Sequence, residues 1–238
     1  MKTKRNIAMT GLASLSLVLA ALIPAAVADG PGGNHYGWSG YSVVVTITNL
    51  TKGQIFSPPV VVSHRPGFSL FEPGQPASEQ LAALAEDGMT GPLTDLLDGS
   101  PEVISYGVTP GDGIMPGQFA SVEIDVARSW SEISLAGMLV SSNDAFLALN
   151  GESLPSYLRS GRFTHTLYAR AYDAGSEANT ESCDHIPGPP CGNPGNRVTE
   201  GAEGYVYPHS GIHGTGGLDP SMLDWNNPVA LITIERAH

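Results

Sequence analysis

Two cysteines, eleven lysines and arginines, and charged side chains at only 14% of 238 positions are the scarcities that bound this chain. Two thiols are too few for the disulfide framework of a small secreted scaffold or for an all-thiolate zinc site. Eleven basic side chains against 23 acidic ones give a formal charge of −12. Nucleic acid is therefore excluded as a natural partner, and so is an anionic membrane surface unless a metal ion bridges the two. Beyond the N-terminal region no apolar run is long enough to cross a bilayer. Enzyme signatures are missing as well: there is no Gly-x-Ser-x-Gly elbow, no His-Glu-x-x-His and no phosphate-cradling glycine loop with its lysine. His209 and His213 are four apart, but Gly211 and Gly214 argue against a helix that would bring both imidazoles to one face. Gly214-Thr215-Gly216-Gly217 has neither a strand before it nor a basic residue, and reads as a flexible loop. No repeat of constant period occurs, which excludes a solenoid or propeller. The expected class is a non-enzymatic module.

What is present begins with an export signal. Lys2, Lys4 and Arg5 precede an apolar run from Ile7 to Ile23, and Ala26-Val27-Ala28 is a small-x-small cleavage site. Residues 1–28 are thus expected to be a signal peptide cut after Ala28, and 29–40 a Gly-rich flexible leader to a single domain at 41–238. The signal holds three of the eleven basic residues and no acid, so eight bases remain against 23 acids and the formal charge falls to −15. That balance suits a periplasmic or secreted protein and permits divalent cation binding. In an oxidising compartment Cys183 and Cys191 are expected to pair, a closure worth roughly 2.5 kcal/mol in the chain-entropy model.

The 29 glycines and 19 prolines are spread along the chain and point to many turns. Tyr41 to Leu50 alternates β-branched residues and reads as a strand. Val60 to Ser63 follows Pro58-Pro59 and is expected at an edge or a bulge, because proline cannot donate to a central ladder. Further strand signals cover Glu102 to Val108, Ala120 to Val126, Glu132 to Val140, Phe163 to Tyr172 and Val229 to Arg236. Ser78 to Glu86 carries Leu81, Ala82, Leu84 and Ala85 on one face with Gly88 placed to stop it, a short helix; Pro92 to Leu97 is a second. His64 is expected to pack or to bond a backbone group. The fold class is all-β, an antiparallel sandwich with one or two short helices in a connection.

Two acidic turns interrupt this pattern. Ser141-Ser142-Asn143-Asp144 separates the apolar Leu135, Met138, Leu139 and Val140 from Phe146, Leu147 and Leu149. It reads first as a solvated turn, and second as a rim where rigid strands hold a carboxylate, oxygens in solvent, for a hard cation. The strand ending at Tyr172 runs into Asp173-Ala174-Gly175-Ser176-Glu177-Ala178-Asn179, where Ser176, Asn179 and carbonyls could add neutral oxygens. If both turns emerge at one end of a sandwich, the carboxylates of Asp144, Asp173 and Glu177 converge and repel unless a cation lies between them. Two unrelated acidic loops are the alternative. Separately, Tyr36, Trp38, Trp130, Tyr157, Tyr205, Tyr207 and Trp225 could form a sugar or peptide platform, although Trp130 and Trp225 lie beside strand signals that favour burial.

Several motifs in fixed order resemble the spondin N-terminal domain, the module of F-spondin and related extracellular proteins. They are Asn49-Leu50-Thr51, Gln54-Ile55-Phe56-Ser57-Pro58-Pro59, His64, Ala77-Ser78 through Ala85-Glu86-Asp87-Gly88, Leu135-Ala136-Gly137-Met138-Leu139-Val140, Asn143-Asp144-Ala145-Phe146, His209-Ser210-Gly211-Ile212 and Asp224-Trp225. The resemblance implies a β-sandwich similar to calcium-dependent lipid-binding modules, with Ca2+ held by Asp144, Asp173 and Glu177 in loops at one end. Animal members carry Trp after the first acid and Asp at the third position, where this chain has Ala145 and Glu177. They also carry further domains, such as thrombospondin repeats. The implied role is extracellular or cell-surface interaction and adhesion, with an extracellular protein, glycan or surface component as partner. A carbohydrate-binding sandwich is the runner-up, and a secreted hydrolase of unknown class the third reading.

Overall fold

From Val43 onward every second residue of β1 (Gly40–Asn49) is fully buried, Val43, Val45 and Ile47 facing inward while Val44, Thr46 and Thr48 stay partly exposed. This period of two is what a β-branched run produces on a pleated strand with one wet face. The computed structural model describes residues 40–238. The expected signal peptide, the leader up to its last residue, Tyr36 and Trp38 lie outside the described residues. β4 (Phe119–Ala127) and β9 (Ala230–Arg236) flank β1 and repeat its pattern, with Val122, Ile124 and Val126, and Ala230, Ile232 and Ile234, turned to the same interior.

The middle strands read differently. β2 (Val60–His64) is buried at all five positions, and β5 (Glu132–Met138) and β6 (Ala145–Ser153) are nearly as deep. Val61, Leu135 and Leu147 join the core under β1. Val60, Val62, Ala136, Phe146 and Ala148 face the other way, onto Leu81 and Leu84 of α1 (Glu79–Asp87) and Leu93 and Leu97 of α2 (Gly91–Asp98). Strands covered on both faces need continuous rather than alternating hydrophobicity, which Val60-Val61-Val62 and Ala145 to Leu149 supply.

With β3 (Val103–Val108), β7 (His165–Asp173) and the two-residue β8 (Tyr207–Pro208), the strands form one antiparallel sheet in the order β3-β2-β5-β6-β7-β9-β1-β4, with β8 branching from β7. β7 changes partners along its length: His165 to Ala169 pair with β9, and Arg170 to Asp173 with β6. The sheet curls until its end strands pack on each other. A Cβ on Gly107 of β3 would come within 2.6 Å of a Val122 methyl on β4, so only glycine permits that approach. Ser63 Oγ on β2 donates to the Asp125 carbonyl of β4 at 2.5 Å across the same seam. The result is a nearly closed, sandwich-like all-β fold, as expected.

Local signals also hold. Ser78 caps α1, its Oγ accepting from the Leu81 amide at 3.2 Å, and Gly88 ends it at φ 68°. Cys183 and Cys191 are disulfide-bonded with Cα atoms 4.9 Å apart. His64 does bond a backbone group, the Arg65 carbonyl at 2.9 Å, and also Ser134 Oγ at 2.8 Å. One placement is corrected. β2 is not an edge strand, because it pairs with β3 on one side and β5 on the other; Pro58 and Pro59 precede the ladder, so their missing donors cost it nothing. The bulge half of that expectation is met between Ser63 and His64.

Phe146 ties the outer face together, its ring 5.3 Å from Phe71 and 5.8 Å from Tyr172. Phe146→Ala is expected to destabilise by about 3–5 kcal/mol, a melting decrease of roughly 10 °C for a domain of this size, whereas Phe119→Ala at an exposed position changes stability by less than about 0.5 kcal/mol. Equal thermal midpoints for the two variants would refute the packing assignment.

Candidate functional site

The register of the sheet sets two acids side by side. β6 opens at Ala145 and β7 closes at Asp173, these two residues are paired, and the Ala174 amide donates to the Asp144 carbonyl at 3.2 Å. Asp144, the residue just before β6, and Asp173, the last of β7, therefore lie side by side at one end of the sheet. The Ser141 to Asp144 turn is neither a solvated turn nor a rim open to water. Ser141, Ser142, Asn143 and Asp144 are at most 2% exposed. The physical reason is cover from later segments and from Gln54. Gln54 exchanges hydrogen bonds of 3.2 Å with the Ser141 backbone, Ser141 Oγ donates to the Pro189 carbonyl at 2.5 Å, the Gly188 amide donates to Val140 at 2.8 Å, and the Glu181 amide donates to Asn143 Oδ1 at 3.1 Å.

Within that cover the carboxylates divide unequally. Asp144 Oδ2 accepts from the Ser176 amide at 2.8 Å, Ser176 Oγ at 3.2 Å and the Glu177 amide at 3.0 Å. Asp144 Oδ1 is buried and has no hydrogen-bond partner in the protein. Asp173 Oδ1 accepts from the Gly175 amide at 2.7 Å, and its Oδ2 from Asn179 Nδ2 at 2.5 Å, with His209 Nε2 3.6 Å away. The Asp173 turn demands glycine at 175: φ is +67°, and a Cβ would strike the Tyr205 backbone at 2.3 Å. Burial, and then the charge of Asp173, raises the Asp144 pKa well above the carboxylate range. Asp173 is raised by burial against the opposing pull of its Asn179 and Gly175 hydrogen bonds.

Glu177 is equally buried but its carboxylate is turned elsewhere. Oε1 accepts from the Val198 amide at 2.9 Å, and its pKa is raised to about 7 by burial, with Glu86 and Asp87 adding to the rise and Arg197 opposing it. Arg197 in turn bridges Glu86 at 2.6 Å and Asp87 at 3.1 Å at the end of α1. The structure thus brings Asp144 and Asp173 together, while Glu177 reaches the pair through its amide and not its side chain. Among the described residues no three His, Cys, Asp or Glu side chains are grouped to hold a metal ion. The Asp144 and Asp173 carboxylates, one carrying a buried orphan oxygen, fit a hard cation that prefers oxygen; the Glu177 side chain does not fit as a ligand in this conformation.

Three neighbours escaped sequence reasoning. Glu181, at φ 52° and 4% exposed, accepts from the amides of His213 at 2.6 Å, Gly214 at 2.6 Å and Thr215 at 2.9 Å. Burial alone would raise its pKa, but these donors hold it below the usual value. The Gly214 to Gly217 loop, read from the sequence as flexible, is anchored at Gly214, Thr215 and Gly217 through Glu181. Tyr207 Oη and Glu203 Oε1 lie 3.1 and 3.3 Å from Asn179 Nδ2 and complete the network behind Asp173. No spacing marks these residues, since their partners are 24 or more positions away.

The family model for the spondin N-terminal domain, Spondin_N, matches residues 48–191, more than half of the chain. The chain belongs to the spondin N-terminal domain family. No curated protein matches it. The matched span contains Asp144, Asp173, Glu177 and both cysteines, but not Glu181's partner loop, His209 or β9.

Glu181→Ala removes the one acceptor shared by the amides of three otherwise exposed residues. Because water can reach the freed amides, it is expected to destabilise by only about 1–2 kcal/mol and to speed amide hydrogen exchange at residues 213–215; unchanged exchange there would refute the anchoring role.

Proposed function

We propose that this protein is an exported, non-enzymatic spondin-type module, secreted or periplasmic, that binds calcium at the Asp144 and Asp173 carboxylates and serves extracellular or cell-surface interaction or adhesion. The observation that carries the reading is a pair of fully buried acids where two adjacent strands meet at one end of the sheet, one with an oxygen that no protein donor satisfies. Two negative charges in a low-dielectric site are costly unless protonated or neutralised. A bound calcium would supply that neutralising charge and bind the two loops into one rigid end. Ser176 and Glu177 amides hold Asp144 Oδ2, and Asn179 and Gly175 hold Asp173, so the protein fixes both carboxylates in place.

With a dissociation constant near 0.1 mM, about 2 mM calcium stabilises the fold by roughly 1.8 kcal/mol, which is about 5 °C in melting temperature. Asp144→Asn keeps an oxygen for the Ser176 and Glu177 amides while removing the charge. It is expected to melt above wild type in chelator and to lose the calcium response. A wild-type midpoint indifferent to calcium sinks the proposal.

The pH dependence has a definite sign. Asp144, Asp173 and Glu177 all have folded pKa values above their ordinary ones. Their contribution to stability is complete below about pH 4 and is lost as pH rises toward about 8. Denaturant titrations in chelator are expected to show this decline between about pH 5 and 8, and Asp144→Asn to flatten it. A rise over that window in wild type, with no change in the variant, would contradict the burial of charge.

A further inference from the structure

A second place on β7 has chemistry that the acidic pair does not use. Where the strand leaves β9 and joins β6, a crevice of about 450 Å³ opens, lined by Tyr168, Arg170, Asn227 and Pro228. We infer that this crevice is a binding site for a carboxylated sugar, a hexuronate or a short oligosaccharide carrying one.

The lining residues define what can enter. Tyr168 and Arg170 are two apart on a strand, so both side chains leave the same outer face, and Tyr168 is 58% exposed, unusual for so large a ring. Arg170 makes no ion pair or side-chain hydrogen bond among the described residues. In a chain with 23 acids and eleven bases, a guanidinium without a carboxylate is left with its charge available. Asn227 is fixed by its Oδ1, which accepts from the Ala171 amide at 2.8 Å, and its Nδ2 remains a donor. Pro228 adds an apolar wall beside it.

The site therefore offers one cation, an amide donor, a phenol and a flat apolar ring, but no carboxylate. A matching ligand needs a negative group for the guanidinium, acceptors for Asn227, and a ring face for Tyr168. A sugar ring lies against an aromatic face through its C–H groups, and a uronate carboxylate accepts both prongs of an arginine fork. The volume suits one or two sugar units and not a folded partner. The excess of acid over the rest of the molecule repels long polyanions, so the favoured ligand carries a single carboxylate at this point. Asp173 lies three residues beyond Arg170 on β7, on the order of 10 Å away, and on the buried face where Tyr168 and Arg170 are on the exposed one, which separates this site from the proposed calcium site.

The test is titration calorimetry on the chain in chelator, so that no calcium bridge through Asp144 contributes. The probes are short oligogalacturonides, a glucuronate-containing disaccharide, and neutral counterparts of the same linkage. Binding of a uronate at millimolar or lower dissociation constant, weakened at least tenfold by Arg170→Gln and by Tyr168→Ala but kept by Tyr168→Phe, is the expected result. Melting of all three variants is expected to match wild type. Equal binding of neutral and acidic sugars, no binding of either, indifference to Arg170→Gln, or benzoate binding as tightly as the uronate would each overturn the assignment. Because calcium is absent throughout, failure here leaves the calcium reading standing, and the reverse also holds.

Discussion

Backbone pairing along β7 is the interaction on which the other features hang. Its first half completes the β9-β1-β4 side of the sheet and its second half completes the β6-β5-β2-β3 side, so one strand holds both halves of the curl in register. Register in a sheet with a period of two is all or nothing, because a slip of one residue would turn Ala169 and Ala171 out of the core and put Tyr168 and Arg170 into it. The same pairing places Asp173 opposite Ala145 and hence beside Asp144. It also creates the gap at the change of partners, where the Ala171 amide donates to a side-chain oxygen, Asn227 Oδ1, in place of a strand carbonyl. The fold, the acidic pair and the crevice follow from one set of backbone bonds.

The acidic pair shows what burial does to charge. Each carboxylate collects donors, amides from Ser176, Glu177 and Gly175 and the Asn179 side chain, and each donor favours the ionised form. Desolvation, helped by the charge of Asp173 on Asp144 and of Glu203 on Asp173, nevertheless prevails, since both pKa values end above the ordinary carboxylate range. Glu181, thirty-seven positions beyond Asp144, shows the opposite balance: three amides converge on one carboxylate with no acid beside it, and its pKa falls. The difference is one of balance: desolvation outweighs the donors at Asp144 and Asp173, whereas three backbone donors and His213 outweigh it at Glu181. A buried carboxylate short of donors is costly, more so with a second acid beside it, and that cost is what a divalent ion can relieve.

Elements whose information is local were legible in the sequence. Ser78 and Gly88 bracket α1 by the chemistry of caps, and the alternation in Tyr41 to Asn49 needs only a period of two. The resemblance to the spondin family rested on motifs in order, and the match over residues 48–191 agrees with it. The acidic residues were recognisable for the same reason, but their burial was not. Ser141 to Asp144 has the composition of a turn in water, and what excludes water is chain from 181–189 and the distant Gln54, none of it visible from the turn itself. Likewise Pro58-Pro59 suggested an edge because proline lacks a donor, whereas the ladder begins one residue later and is paired on both sides. Long-range hydrogen bonds decide such cases, and a single sequence does not display them.

The segment beyond residue 191 matters for the same reason. β9 supplies the partner for β1 and for half of β7, and the stretch from Glu203 to Thr215 delivers Tyr207, His209 and the amides that Glu181 holds. Two separate clamps therefore fasten this late segment onto the acidic loop: Glu181 on residues 213–215, and the Asn179 network on Glu203 and Tyr207. Both clamps begin in the short stretch between Gly175 and Ser182, which also holds Asp144. Any rearrangement that moved the Asp173 loop to admit an ion would have to carry the late segment with it. The acidic pair is consequently coupled to the closure of the sheet, and a charge placed there acts on the whole end of the fold and not on a single loop.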